Sequence, residues 1–522
     1  MLFRNFFSKK SRSKIRLIFK GYKILKNTNQ SDLLIRLNDI LTRTELSNTQ
    51  VSKTLETNNL NFELSARQYL YTIILDHPFN KAVLYSIGSG KALRYPLPKE
   101  WRSCLIKEDI RVDNLACSFL WSMYIFLKWG HGVVQGLKSV ANLLKPQSDL
   151  GIHIYFNQIN KMCLPSNAGD YNIINWYLQW ENRKKNIDSI AHDVKSINNY
   201  KYKKINISSS DGLPRIKGLN LIKYTLWSIY LIVYSFLFIF SKPYSSLLLK
   251  EQLKLIRLKV ANRSSIASDI LFNNSNVFYR PLWTYEAREK GSRVSLYFYS
   301  TNHEMFKTKN GYQIQNPFHM VSWPHYLVWD EFQMNFLKRN IKLKPIIEVV
   351  GSIWFSSSKK ILDIPLNSIS VFDVTPVRPT KYFWRLRDPE YYIFDTVDQF
   401  LRDIQFVLNK SNICMIHKRK RFRAFTHKKY TRRVNQLNRK INYTNINPNV
   451  DALQIIQKTK ACISIPFTST ALSAKEEGRP SVYYDPTGII QKDDIAAHGI
   501  EVLSGIKELE KWVEKISNDK IR

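Results

Sequence analysis

The chain has 522 residues, 44% of them apolar, which is enough for two to four domains with substantial cores. Its charge is lopsided: 79 Lys and Arg stand against 42 Asp and Glu, a formal net charge of +37, so an anionic partner is expected. With 17 Gly, five Cys and no persistent heptad, collagen, coiled-coil arrays and disulfide frameworks are excluded. Cys104, Cys117, Cys163, Cys414 and Cys462 are scattered without zinc spacing, and are expected as free thiols packed like small hydrophobes.

The distribution of charge points to lipid and phosphate rather than nucleic acid. Residues 1–27 carry nine basic side chains and no acid, interleaved with Leu2, Phe3, Phe6, Phe7, Ile15, Leu17, Ile18 and Phe19. That is a basic amphipathic segment without a signal peptide's apolar run or cleavage site, suited to the cytoplasmic leaflet and equally compatible with a solvated helix face. Residues 1–60 are read as this segment plus loop. Asn114–Leu127 is apolar but too short to cross a bilayer, whereas the uncharged run Tyr224–Ser241 reaches about 27 Å as a helix, just under the ~30 Å hydrocarbon core. Both runs fit membrane contact at an interface, and both also fit core helices. No RNP-like, zinc-finger or helix-turn-helix pattern supports a nucleic-acid partner.

After Ser265 the pattern becomes regular. Residues 266–274 read as a strand, 280–291 as a helix with Pro281 at its start and Gly291 as its stop, and 292–300 as the next strand. Residues 325–340 are a strand running into a helix, and 341–355 a further strand ending at Gly351. A second series begins at 368–376, a strand stopped by Pro376, followed by an amphipathic helix at 395–411 with Asp395 as expected N-cap. Strand 412–421 ends in a basic cluster. Helix 451–460, strand 461–465, helix 471–478, strand and turn 480–488 and helix 505–517 complete the chain. Strands joined by helices imply parallel pairing, hence two Rossmann-like α/β units with a linker near 343–367 and a cleft between them. The expected divisions are 1–60, an acceptor-side domain at 61–345 with apolar helical insertions, and a nucleotide-binding domain at 346–522.

The residues able to carry chemistry cluster at strand ends. A buried strand delivers Thr468, Ser469 and Thr470 to a helix N-terminus, where unpaired amides and the helix dipole attract an anion; plain N-capping explains the same hydroxyls equally well. His417, Lys418, Arg419, Lys420 and Arg421 end another strand of the same unit, and such cations neutralise a phosphate leaving group without a metal. No metal cluster or other cofactor is expected.

The stretches RPLWTYE (280–286), YFYSTN (297–302), VFDVTP (371–376), HKRKR (417–421) and PFTSTALSAKEEGRPSVYYDPTG (466–488) resemble a family of bacterial surface-polysaccharide biosynthesis proteins named for their Pro-Phe-Thr-Ser motif, here Pro466–Ser469. The resemblance covers roughly 260–510. It implies a GT-B glycosyltransferase: α/β, with two Rossmann-like domains, the C-terminal one holding a nucleotide-sugar donor and the N-terminal one a lipid-linked or polysaccharide acceptor. Together with the basic N-terminal region it places the protein against an anionic membrane surface at the cytoplasmic face of the inner membrane. The Ser/Thr turn is similar to that of transferases using CMP-activated sugars. In this reading Lys418, Lys420, Thr468, Ser469 and Thr470 contact donor phosphate, while Asp373, Glu476, Glu477, Tyr484 and Asp485 line the nucleotide. Arg280 anchors acceptor phosphate, and the base is Glu286, His303 or Glu304. A non-catalytic assembly protein that retains nucleotide binding is the alternative.

Overall fold

A computed structural model describes the chain outside residues 1–10, 29, 31–32, 47–58, 74–76, 145–152, 158–163, 166–171, 181–186, 195–196, 274–276, 299–303, 305, 308–310, 313–315, 352–362, 377–390, 421–425 and 519–522. Two parallel sheets organise it, each flanked by helices, as the alternating strand and helix pattern requires.

The N-terminal sheet contains β1 (Ile154–Asn157), β2 (Ser189–His192), β3 (Tyr200–Tyr202), β4 (Ile205–Ser209), β5 (Asp269–Phe272), β6 (Arg293–Tyr297), β7 (His325–Val328) and β8 (Ile346–Val349). Their order is β3-β4-β2-β1-β5-β6-β7-β8, parallel throughout except for the β3–β4 edge pair. β8 pairs with β7 and so belongs to the N-terminal sheet, although it follows the 345/346 division expected from the sequence. Helices Ser11–Asn27 and Leu33–Arg43 are not a separate segment either: Leu25, Leu34, Leu37 and Leu41 enter the same core as the N-terminal sheet.

Helix Ser11–Asn27 lies along His77–Ser89 at a glycine crossing. A Cβ on Gly21 would stand 2.0 Å from the Leu84 carbonyl oxygen, and one on Gly88 1.9 Å from that of Leu17, so only glycine permits the approach. The basic N-terminal helix therefore packs Ile18, Tyr22 and Leu25 on the core, while Ile15, Ile24, Lys14, Arg16, Lys20, Lys23 and Lys26 remain exposed.

The first apolar run belongs to a 31-residue helix, Asn114–Leu144, that continues through Lys128, Gly130, Gly132 and Gly136. Gly132 and Gly136 admit Leu249 and Leu253 of helix Leu249–Val260, against which a Cβ at either glycine would approach to 2.9 Å. The second run forms helix Gly218–Leu237. It packs antiparallel to the first, Tyr224 donating to Ser139 Oγ at 3.0 Å and Trp129 Nε1 to the Ile232 carbonyl at 3.2 Å. No helix among the described residues is long and apolar enough to cross a membrane.

The C-terminal sheet contains β9 (Ser368–Phe372), β10 (Cys414–Lys418), β11 (Tyr443–Ile446), β12 (Ala461–Ser464), β13 (Ser481–Asp485) and β14 (Glu501–Ser504), all parallel, in the order β11-β10-β9-β12-β13-β14. Helices Phe394–Lys410, Lys428–Leu437 and Ile506–Asn518 cover one face, and Ala452–Lys458 and Ser469–Glu476 the other. The strand order reverses between β9 and β12, and a doubly wound sheet opens a crevice at the carboxyl ends of those two strands. Helix Phe394–Lys410 starts from Ile393 with no side-chain cap; Asp395 sits in its first turn, where a negative charge still favours the dipole. Among the described cysteines all are free, and Cys117 and Cys462 are buried, burial pushing the Cys462 thiol up to about 11.

Candidate functional site

The crevice at the β9/β12 reversal collects the phosphate candidates. Lys418 at the end of β10 and Ser464 at the end of β12 both pair in register with Phe372 of β9. They stand in one row two strands apart, about 10 Å. Lys418 faces the helix layer that also holds Ser469–Glu476: alternate residues Cys414 and Ile416 pack with Ala474 of that helix, and Lys418 lowers the pKa of Asp451, which caps Ala452–Lys458, against the stronger raising effect of burial. Lys420, two residues further on, is exposed.

The motif turn is held from several sides. Phe467 is buried edge-on against Phe306 (centroids 5.2 Å) and Tyr483 (5.4 Å). Tyr392 donates to the Pro466 carbonyl at 2.6 Å, and Tyr483 to that of Thr468 at 2.9 Å. Thr468 occupies the N-cap position in extended conformation, yet its hydroxyl donates back to the Ile465 carbonyl at 3.0 Å and does not cap the helix. Thr470 shares a 2.8 Å hydrogen bond with Ser464 Oγ. Two of the three hydroxyls thus shape the turn, while Ser469 heads the helix, where the first amides lie outside the intrahelical ladder. Simple capping does not account for the Thr468 hydroxyl; the helix start is kept open by the fold of the turn.

Beside it, at the carboxyl end of β9, lies a buried polar chain. Tyr430 donates to Asp373 Oδ2 at 2.6 Å, His417 Nε2 meets the same oxygen at 3.1 Å, and His417 Nδ1 meets the Tyr443 hydroxyl at 2.6 Å. Burial, then the charge of Asp373, raises the pKa of Tyr430 and Tyr443, so both stay protonated. The consistent assignment has Tyr443 donating to Nδ1 and Nε2–H donating to the carboxylate. Among the described residues, the buried Asp373 Oδ1 has no hydrogen-bond partner.

Several expected contacts are placed elsewhere. Tyr484 donates its hydroxyl to Asp403 Oδ2 at 2.5 Å and stacks near Phe400, so strand alternation turns it into the helix layer, away from the crevice. Asp485 spends both oxygens internally, Oδ1 accepting from Tyr391, Thr487 N and Thr487 Oγ1, and Oδ2 from Ile490 N, which makes it the organiser of the turn after β13. Glu476 and Glu477 are exposed at the far end of an eight-residue helix, about 10 Å beyond Ser469, with Glu477 accepting from Gln457. Arg280 is not offered to an acceptor: it is buried, stacked 3.6 Å over the Tyr285 ring, and donates to Thr284 Oγ1 and the Ser322 carbonyl. It braces the segment between β5 and β6 instead.

Of the base candidates, His303 lies outside the described residues, and Glu286 is half-buried on helix Trp283–Glu289, packed on β6 and Leu249–Val260 within the N-terminal domain. Glu304 reaches the junction between domains. It is ion-paired with Arg339, yet burial outweighs that pairing and raises its pKa above the ordinary carboxylate range, with Asp494 adding to the rise and His498 opposing it. Two residues on, Phe306 packs against Phe467, Tyr391 and Tyr392, so the segment bearing Glu304 is pinned to the motif turn. Lys307 N and the Tyr312 hydroxyl both donate to Asp494, each at 2.9 Å, and His498 Nδ1 meets Asp330 Oδ2 at 2.5 Å. Sequence reasoning missed these ties. Asp330 is the N-cap of helix Glu331–Asn340, accepting from Gln333 N, and nothing local marks Asp494 or His498. Among the described residues no three His, Cys, Asp or Glu side chains converge as a metal group.

Similar architectures occur in a UGT transferase from Siraitia grosvenorii in complex with UDP, 11% identical over 70% of this chain and 91% of that one with a TM-score of 0.39. The wall teichoic acid polymerase TagF is 12% identical over 76% and 89%, with a TM-score of 0.37. A UDP-GlcNAc 2-epimerase from Methanocaldococcus jannaschii is 11% identical over 70% and 92%, with a TM-score of 0.33. No curated protein matches the sequence. The motif turn, both ends of the crevice and the junction segment all fall within residues 234–513, which match the profile described as polysaccharide biosynthesis PFTS motif protein. That match spans more than half of the chain, and the protein belongs to this family.

Proposed function

We propose that the protein is a glycosyltransferase that moves a sugar from a nucleotide-activated donor, with a CMP-linked sugar among the candidates, onto a lipid-linked surface-polysaccharide acceptor at the cytoplasmic face of the membrane. The observation that carries this reading is the row at the carboxyl ends of β9, β10 and β12, where Lys418 and the start of helix Ser469–Glu476 lie on the same side, with Asp373 directly after β9. Lys418, Lys420, Ser469 and the first helix amides hold the donor phosphate and neutralise it as it leaves. Asp373 accepts from a hydroxyl or amine of the nucleoside or sugar. The acceptor hydroxyl oxygen attacks the anomeric carbon, the bond from that carbon to the phosphate oxygen breaks, and the nucleotide departs with the electron pair. The hydroxyl proton passes to Glu304, whose raised pKa suits a base.

The test is a thermal-shift screen with CMP-, UDP-, GDP- and dTDP-sugars, since a ligand of the native state raises its melting point. Transfer is then measured in Lys420→Ala and Ser469→Ala. Both substitutions are expected to abolish transfer with an unchanged fold; undiminished turnover in both removes the phosphate site. The ion pair of Glu304 with Arg339 favours one second reading, a nucleotide-binding assembly protein, which shows a melting shift but no transfer.

A further inference from the structure

The helix pair Asn114–Leu144 and Gly218–Leu237 leaves one side unpartnered. Both helices rest on Leu249–Val260, through Gly132 and Gly136 on one and the buried Tyr224, Ser228, Leu231 and Ser235 stripe on the other. Their opposite sides therefore point away from the same layer. Those sides are apolar. Of 31 large hydrophobic side chains exposed among the described residues, 19 lie within 114–144 and 218–240, so the exposure is concentrated in one place rather than scattered as on an ordinary surface. The residues recur at helical spacing: Leu115 (87% exposed), Phe119, Met123 and Phe126 on the first helix, and Ile222, Leu226, Ile229, Val233 and Leu237 on the second, with Phe240 (79%) just beyond its end.

The charge pattern selects the occupant. From Asn114 to Leu144 and from Gly218 to Lys242 there is no Asp or Glu, while Lys128, Lys138, Lys223 and Lys242 are present. Two copies of a chain carrying +37 would bring these lysines together without a compensating carboxylate, whereas an anionic bilayer supplies both an apolar phase and the opposite charge. Since no described helix is long and apolar enough to cross, the fitting geometry is a pair lying in the interface.

We infer that the paired helices 114–144 and 218–237 form a monotopic seat that lies in an anionic lipid leaflet, with the outward Leu, Ile and Phe side chains inserted among the acyl chains. The basic helix Ser11–Asn27 is not part of this seat: it crosses His77–Ser89 at Gly21 and Gly88, with Ile18, Tyr22 and Leu25 on the core. The seat belongs to the N-terminal domain and does not depend on the donor chemistry proposed above.

The experiment is flotation of the full chain with phosphatidylglycerol/phosphatidylcholine vesicles and with phosphatidylcholine vesicles, alongside its oligomeric state by light scattering. The purified chain is expected to float with the mixed vesicles. Phe119→Asp and Leu226→Asp alter side chains that are 65% and 62% exposed, so the melting temperature is expected to hold. Each should lower vesicle affinity about tenfold, the loss matching one buried large apolar side chain. Undiminished flotation of the double variant overturns the inference. So does a chain that fails to float but forms a dimer split by the same substitutions, which assigns the face to a second copy.

Discussion

If Lys418 and Ser469 grip one leaving group, their contributions must be coupled through it. Lys418 and the end of β12 stand about 10 Å apart across β9. At that separation, with no shared partner, substitutions add within about 0.5 kcal/mol. A bound phosphate is a shared partner. Each charge-assisted hydrogen bond lost to it costs about 1.5–3 kcal/mol, so Lys418→Ala and Ser469→Ala are each expected to weaken nucleotide diphosphate binding by roughly 10- to 100-fold. The double variant should lose less than the product of the two, because the phosphate is released from the site once either contact has gone. Isothermal titration of the four proteins measures the coupling, and thermal unfolding without ligand supplies the control in which the same pair must be additive. The corresponding nucleoside, which has no phosphate, should bind all four alike. Additive losses with the diphosphate, or equal losses with the nucleoside, refute convergence on one group.

Other substitutions separate bracing from chemistry. Arg280→Met strands the Ser322 carbonyl and Thr284 in the core and is expected to cost about 2–4 kcal/mol in unfolding while leaving the acceptor KM unchanged; a raised KM at unaltered stability restores the anchoring role. Gly88→Ala drives a Cβ toward the Leu17 backbone oxygen, which cannot rotate away, so a loss of about 1–3 kcal/mol and early proteolysis within the Ser11–Asn27 helix are expected in limited digestion. Because the folded-state pKa of Glu304 is raised, its contribution is fully present below the unfolded value and is lost as pH rises through the folded one. Wild type should therefore lose stability relative to Glu304→Gln as pH climbs above the ordinary carboxylate range, and a gap between their melting curves that stays constant from about pH 4 to about pH 7 contradicts the burial-dominated shift. Asp373→Asn keeps the volume and one acceptor oxygen for Tyr430 and His417 but removes the charge and replaces the other oxygen with a donor NH2, and should weaken nucleotide-sugar binding by more than it lowers the melting temperature; equal effects make Asp373 purely structural.

The C-terminal domain was readable because its strands are short apolar runs bounded by turns, and β9, β10, β12 and β13 lie where the pattern puts them. β11 and β14 escaped for physical reasons: Tyr443–Ile446 is an edge strand half-buried at Thr444 and Asn445, and Glu501–Ser504 is four residues between Gly499 and Gly505. In helix Asn114–Leu144 the lysine and glycines after Leu127 look like an end, yet they mark the place where another helix presses close. The motif turn was legible from its hydroxyls at a helix start. Its neighbours were misjudged because sequence position does not show which way a strand residue points: Tyr483 supports the turn while Tyr484, one residue later, faces Asp403. The Tyr443–His417–Asp373–Tyr430 chain joins three strands and a helix, and no local pattern announces it.

The junction holds Glu304, the proposed base, in register with the motif turn. Exposed pairs such as Lys307–Asp493 contribute little, since water screens them. The specific ties are less exposed: Phe306 among Phe467, Tyr391 and Tyr392, the Asp494 carboxylate receiving Lys307 N and Tyr312, and His498 meeting Asp330. Phe306 is two residues from Glu304, and Phe467 two residues from Ser469. Under the proposed roles, any displacement of the Phe306 segment against Phe467 therefore changes the spacing between Glu304 and Ser469 directly. If the proposed roles hold, the Phe of the Pro-Phe-Thr-Ser motif is the mechanical link between the two domains, Thr468 shapes the turn that this link fixes, and Ser469 is the residue presented by it.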